Sequence, residues 1–155
     1  MRKKSIQLLL FALSLLLIFS GCKSGTGDTQ DTEPPAVPVD PITLFSSAGS
    51  AYTIVRGERA STEIINAAIH LRESIQEASG VDIPLNDDYM YGVNGGTVAI
   101  VVGVTTDERS QELRDSMQYN DYMIRVENNN LYLIGGSDEA TVDAVDYFIE
   151  RYLSQ

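Results

Sequence analysis

The sequence predicts a domain of the α/β (α+β) class, a two-layer sandwich in which helices pack mainly on one face of a mixed β-sheet. Three observations lead to this class. From Ala51 onward the predicted elements follow the order strand, helix, strand, strand, helix, strand, strand, helix. The apolar run Thr97 to Val102 does not alternate, which is typical of a strand buried on both faces. The last predicted element is an amphipathic helix, and its apolar side needs a sheet to cover it.

A segment of a different kind precedes this domain. A basic start, residues 2–4, leads into an apolar run, 6–19, which is shorter than the roughly 20 residues of a membrane-spanning helix. This pattern predicts a secretory signal peptide over residues 1–21, with a true transmembrane anchor as the alternative. The ending Phe19-Ser20-Gly21-Cys22 resembles a bacterial lipobox. The resemblance implies cleavage before Cys22 and attachment of lipid to its sulfur.

The stretch that follows, residues 22–41, is rich in Ser, Gly, Thr, Asp and Pro. Such a composition cannot bury enough apolar surface to order itself, so we expect a disordered tether. The remainder, residues 42–155, has the size of one small α/β domain. The expected location is therefore the extracytoplasmic face of the cell membrane, where lipid on Cys22 anchors the chain.

Charge and cysteine content exclude several classes of function. The formal net charge is −11, and removal of the three basic residues of the signal peptide gives −14, because that segment contains no acids. A domain this acidic is repelled by nucleic acid, so nucleic-acid binding is not expected. Cys22 is the only cysteine. Once it carries the anchor, no thiol remains for a disulfide, a thiolate metal site or a nucleophile, and no cofactor is predicted.

The first half of the domain contains two predicted strands and a helix. Ala51 to Val55 alternates and predicts the first strand. A helix is expected to begin at a capping Ser61 or Thr62 and to end at Gly80. Val81 to Leu85 is predicted to form a short second strand.

The second half contains a helix, a hairpin and a final helix. After the central strand, residues 107–117 predict a weaker helix. Residues 122–127 and 131–134 predict two strands joined by a hairpin turn at Asn128-Asn129-Asn130, because Asn tolerates positive φ. Ser137 is expected to cap the final helix. The apolar stripe of that helix consists of Val142, Val145, Phe148, Ile149, Tyr152 and Leu153.

Several segments of the predicted domain, taken together, resemble a known family. They are Gly135-Gly136-Ser137 between the last strand and helix, Ser79 to Leu85, Ile100-Val101-Val102-Gly103 and the hairpin start at Asp121 to Ile124. In this order they resemble the small domain that precedes the catalytic barrel in β-N-acetylhexosaminidases and α-glucuronidases. The resemblance extends over Ala51 to Leu153, nearly the whole predicted domain.

The resemblance implies a non-catalytic domain, because in those enzymes the carboxylates that cleave the sugar bond lie in the following barrel. It also implies a catalytic barrel or a glycan as a possible partner. One departure is visible. The family often has Ser-Pro-Arg-Gly after the two glycines, whereas this chain has Ser137-Asp138-Glu139-Ala140. An arginine contact at position 139 is therefore excluded here.

Candidate ligand-binding residues lie in the segment 86–96, which is predicted to be a polar loop. Asp87 and Asp88 are the best-placed acids for a hydrolytic pair, and a solvated turn is the alternative reading. Tyr89 and Tyr91 offer rings that stack on sugars when exposed, unless they fold back on the core.

No residue set in the sequence forms a readable active site, and neither catalytic nor metal-binding residues are predicted. His70, the only histidine, falls on the polar side of its helix, and a lone histidine gives no metal constellation. The expected function is therefore a lipid-anchored accessory domain of a carbohydrate-active, glycoside-hydrolase-like protein, without hydrolase activity of its own. A free-standing glycan- or cell-wall-binding module and a protein-interaction lipoprotein remain as alternatives.

Overall fold

The structure is a computed structural model that describes residues 42–154, without the side chain of Val93. All of these residues belong to one compact unit. The predicted signal peptide, Cys22 and the tether lie outside the described residues. Within the described part of the chain, no helix is both long and apolar enough to span a bilayer.

The centre of the domain is a five-stranded mixed sheet with the strand order β2-β1-β3-β5-β4. The first four strands in this order are parallel, and β4 is antiparallel to β5 at one edge. The strands are β1 Thr53–Arg56, β2 Leu85–Asp87, β3 Ala99–Val102, β4 Tyr122–Glu127 and β5 Asn130–Gly135.

Four α-helices and one π-helical turn connect or follow these strands. They are α1 Thr62–Ser79, α2 Asp88–Asn94, α3 Glu108–Asp115, α4 Asp138–Phe148 and the π turn Ile149–Leu153. The two longer helices, α1 and α4, pack together on one face of the sheet. The two short helices lie on the other face, where Leu113 of α3 and Tyr91 of α2 cover a smaller apolar cluster.

The predicted fold class is confirmed: a mixed sheet forms one layer and the long helices form the second. The main core lies between them and holds fully buried residues from both layers, among them Ile54, Ile100 and Leu133 of the sheet and Leu71 and Val145 of the helices. Burial of these side chains supplies most of the stabilisation, at roughly 1.5–3 kcal/mol for each large aliphatic group. The short helices lie on the second face, which agrees with helices that pack mainly, and not wholly, on one face.

Helix α1 forms where its sequence predicts it. The hydroxyl oxygen of Ser61 accepts a hydrogen bond from the backbone N–H of Ile64 at 3.4 Å. Gly80 ends the helix with φ of +73°, a left-handed conformation that favours glycine. Both predicted boundaries are therefore confirmed.

The hairpin between β4 and β5 is also confirmed. Asn128 and Asn129 have φ of +50° and +64°. Positive φ at both central residues is the geometry of a type I′ turn, whose twist matches that of the two strands. Strand β3 is buried along its whole length, as its unbroken apolar run predicts.

The prediction for residues 81–96 is wrong in two respects. The second strand is Leu85–Asp87 rather than Val81–Leu85, because Leu85 pairs with Ile54 of β1 while Ile83 turns into the core. The expected loop over residues 86–96 contains helix α2. Local capping signals explain this helix, since Asp87 caps its first turn and Gly95 closes its end in a left-handed conformation.

The final helix packs largely as predicted, except at its last turn. Phe148 is only 5% exposed and lies in the main core. Tyr152, predicted to lie in the same stripe, is 58% exposed, and its ring stacks on Phe148 at a centroid distance of 5.2 Å. Tyr152 lies in the π turn, in which residue i bonds to residue i+5, and it lines a second cavity together with Ile124 and Val126 of β4.

Candidate functional site

The strand order places a separation between two loops at the carboxyl ends of the parallel strands, between β1 and β3. From β1 the chain crosses to β2 on one side through α1, and it then crosses back to β3 on the other side through α2. In open α/β sheets, ligands bind outside the carboxyl ends of the strands at such a reversal of strand order. Here a cleft of about 520 Å³ lies at that position. We call it the carboxyl-end cleft.

Two loops form most of the wall of the carboxyl-end cleft. The first, Gly57 to Ser61, joins β1 to α1, and the second, Val104 to Thr106, joins β3 to α3. The loops approach closely, since a Cβ atom at Gly57 would lie 2.7 Å from the carbonyl oxygen of Val104. That distance excludes a side chain at position 57, so glycine is required there.

The carboxylate of Asp88 joins these two loops. One oxygen accepts a hydrogen bond from the backbone N–H of Glu58, and the other accepts one from the backbone N–H of Thr106, both at 2.8 Å. Charge-assisted hydrogen bonds of this kind are among the stronger ones in proteins. Asp88, predicted as a possible ligand-binding residue, therefore lines the cleft and also holds its walls together.

The other predicted acid, Asp87, has a different place. Its carboxylate accepts a hydrogen bond from the backbone N–H of Met90 at 2.7 Å and caps helix α2. It does not line the carboxyl-end cleft. Asp88 therefore links two loops, whereas Asp87 caps a helix.

The two predicted tyrosines are also separated. Tyr89 is 65% exposed, directly after Asp88 in the chain. Tyr91 is half-buried, and its ring packs over Gly96 and against the cluster on the second face of the sheet. Burial, together with the negative charge of Asp107, raises the pKa of Tyr91 above its ordinary value. Only Tyr89 therefore presents its ring to solvent near the cleft, and neither tyrosine lines it.

Side chains outside the predicted set complete the lining. Arg114 and Asp138 form an ion pair at 3.4 Å, and the amide of Gln111 donates to the carbonyl oxygen of Thr105 at 3.0 Å. Glu58 and Arg59 also line the cleft, and within residues 42–154 neither of these side chains has a hydrogen bond or an ion pair.

The loop after β3 is stiffened by a small buried network. The hydroxyls of Thr105 and Ser110 lie 3.1 Å apart, and the Ser110 hydroxyl also accepts from the backbone N–H of Thr105 at 3.0 Å. Both residues are buried. This wall of the cleft is therefore fixed in place before any ligand binds.

Sequence reasoning missed Arg59, Gln111, Arg114 and Asp138. They come from three separate stretches of chain: Arg59 follows β1, Gln111 and Arg114 lie in α3, and Asp138 begins α4. Loops that follow neighbouring parallel strands lie close together, and this was the one signal that could have found these residues. It could not be used, because the sequence alone does not show which strands are neighbours. Within the part of the chain that the structure describes, no group of three or more His, Cys, Asp or Glu residues is arranged to hold a metal ion.

Comparison with known proteins adds no assignment. No protein-family model matches the chain, and no curated protein matches it at a significant level.

Proposed function

We propose that this chain is a lipid-anchored, extracytoplasmic accessory domain of a carbohydrate-active, glycoside-hydrolase-like protein, and that it is not itself catalytic. The observation that supports the non-catalytic part of the proposal is the role of Asp88. Glycoside hydrolysis requires two carboxylates on either side of the scissile bond, one to donate a proton and one to attack or to activate water. Asp88 instead uses both oxygens as acceptors for backbone N–H groups, and Asp138 is paired with Arg114.

The arrangement of the resembling segments supports the carbohydrate association. The segment Ser79 to Leu85 follows helix α1, Ile100 to Gly103 ends the central strand, and Gly135-Gly136-Ser137 joins β5 to α4. At the last junction a Cβ atom on Gly135 would collide with the backbone of Ala140 and Thr141. The glycine of this motif thus has a packing reason to be there.

The membrane anchor is proposed from the sequence, with lipid on Cys22. Fractionation of cells that express the wild type or Cys22→Ala tests it. We expect the wild type in the membrane fraction and the variant in the soluble extracytoplasmic fraction. An unchanged distribution of the variant would contradict the anchor.

The accessory role has a separate genetic test. Reading frames that continue or neighbour this one should encode a catalytic barrel of a glycoside hydrolase. A neighbourhood without any carbohydrate-active gene would contradict this part of the proposal.

A free-standing glycan-binding module is the second candidate. It is favoured by the exposed ring of Tyr89, which directly follows a residue of the carboxyl-end cleft. An array of glycans probed with the detergent-solubilised chain separates this candidate from a pure protein-interaction role, for which we expect no retained glycan.

A further inference from the structure

We propose that the carboxyl-end cleft binds a neutral polyhydroxyl ligand, namely a sugar unit of mono- or disaccharide size. This inference adds a ligand class to the proposed function, and it rests on the carbohydrate association proposed above. It assigns the binding site to the loops after β1 and β3 and not to the exposed tyrosine of α2.

The first argument is position and size. The cleft lies where the strand order reverses, which is the preferred ligand position in open α/β sheets. Its volume of about 520 Å³ falls within the range of roughly 300–1,000 Å³ that is usual for small-molecule sites.

The second argument is the charge balance of the lining. Arg114 and Asp138 neutralise each other, and the Asp88 carboxylate keeps its negative charge while both of its oxygens accept hydrogen bonds from backbone N–H groups. Two charged side chains without a partner among the described residues remain, Arg59 and Glu58, and their charges cancel. A strongly anionic or cationic ligand would gain from one of them and be repelled by the other. The two arginines and three acids of the lining sum to −1, which repels an anion, and Arg59 and Glu58 together offer an uncharged ligand both a donor and an acceptor.

The third argument is the kind of polar group offered. The guanidinium of Arg59 provides only donors, and the carboxylate of Glu58 provides only acceptors. A hydroxyl group both donates and accepts, so a ligand with several hydroxyls satisfies both side chains at once. Ala60, Ile64 and Val104 also contribute to the lining, and a site that combines apolar and polar groups suits a sugar, which carries both C–H and hydroxyl groups.

The fourth argument is preorganisation. The Asp88 carboxylate fixes the distance between the two loops, and the Thr105–Ser110 network fixes the second loop. A site whose walls are already ordered does not lose that conformational entropy on binding.

Titration of the isotopically labelled, detergent-solubilised full chain with neutral sugars tests this inference. The probes are glucose, xylose, N-acetylglucosamine and their β-1,4-linked dimers, with glucuronic acid and glucosamine as charged comparisons. We expect saturable shifts of the backbone amide signals of Glu58 and Thr106 with at least one neutral sugar. Both charged probes should bind more weakly than the neutral sugar that they resemble.

Two variants locate the binding site. Arg59→Gln should weaken binding by about tenfold or more, since it removes a charged hydrogen-bond donor from the lining. Arg72→Gln is the matched control. Arg72 lies in α1 away from the cleft lining, in an exposed ion pair with Asp82, so the same change of charge should leave sugar binding unaltered.

The possible results distinguish an error in the binding site from an error in the proposed carbohydrate association. Failure of every neutral sugar to shift these amides, or equal losses for Arg59→Gln and Arg72→Gln, would overturn the site. Binding that Tyr89→Ala abolishes and Arg59→Gln leaves intact would also overturn it, while the proposed carbohydrate association would stand. Preference for glucuronic acid or for glucosamine would refute the neutral character of the ligand.

Discussion

At the residue scale, Asp87 and Asp88 show how neighbouring acids of the same type acquire different roles. Asp87 caps a helix, and Asn caps a helix about as well as Asp. Asp88 needs two acceptor oxygens, and Asn supplies only one. The same substitution should therefore have unequal effects at the two positions.

We expect Asp88→Asn to lower the free energy of unfolding by about 1–2 kcal/mol, because one charge-assisted hydrogen bond is lost and an amide donor then faces a backbone N–H. Asp87→Asn should change it by less than about 0.5 kcal/mol. Urea melts of the full-length variants measure both values. Amide hydrogen exchange at Glu58 and Thr106 should accelerate in the Asp88 variant alone. Equal destabilisation by the two changes would contradict the role assigned to Asp88.

The environment of Glu127 predicts that the stability of the domain depends on pH. A hydrogen bond from the Arg109 guanidinium, aided by the charges of Arg109 and Arg125, holds the pKa of Glu127 below its ordinary value. The unfolded chain therefore binds a proton at a higher pH than the folded chain does. The contribution of Glu127 to stability is present above the unfolded pKa of about 4.3 and is lost as the pH falls through the lowered folded value.

Urea melts of the wild type and Glu127→Gln at pH 7 and near pH 3 test this contribution. The wild type should be more stable at pH 7, and the difference should shrink in acid. Glu73→Gln, at an exposed position in α1, is the control and should show no such trend. A difference that stays constant between the two pH values would contradict the assignment.

At the element scale, the final helix is the best test of the packing of the two layers. Phe148 faces the sheet in the main core, and Asp143 lies on the exposed side of α4. Phe148→Ala should destabilise the domain by about 3–5 kcal/mol, which is a large share of the stability of a small domain. Asp143→Ala should cost less than about 0.5 kcal/mol. Equal urea midpoints for the two variants would mean that α4 does not pack on the sheet as described.

The elements that could be predicted are those with strong local signals. Helix α1 has a cap, an apolar stripe and a terminal glycine, and the hairpin has two asparagines at positions that need positive φ. Helix α2 was missed because its seven residues include Gly92 and carry no helical apolar stripe, so only its caps define it. The π turn that contains Tyr152 was missed because such a turn has no signal in the periodicity of the sequence.

At the scale of the whole molecule, the cleft could not be predicted because it depends on strand order. Arg59 and Arg114 are 55 positions apart in the sequence and share a wall only because β1 and β3 are neighbours in the sheet. Among the residues that line the cleft, only Asp88 was predicted from the sequence as a possible ligand-binding residue. Its role as a link between two loops was not predicted. The fold class, by contrast, could be predicted, because the order of the elements, the unbroken apolar run of β3 and the amphipathic final helix are all visible in the sequence.

The accessory role that we propose requires a domain without hydrolase activity, in which the carboxylate of Asp88 links two loops. The most direct measurement is turnover of a panel of aryl glycosides by the purified full chain, beside Asp88→Asn and Asp87→Asn. We expect all three proteins to release no more aryl alcohol than a blank without protein. Turnover by the wild type that Asp88→Asn abolishes, while the folded fraction of that variant remains high, would contradict it.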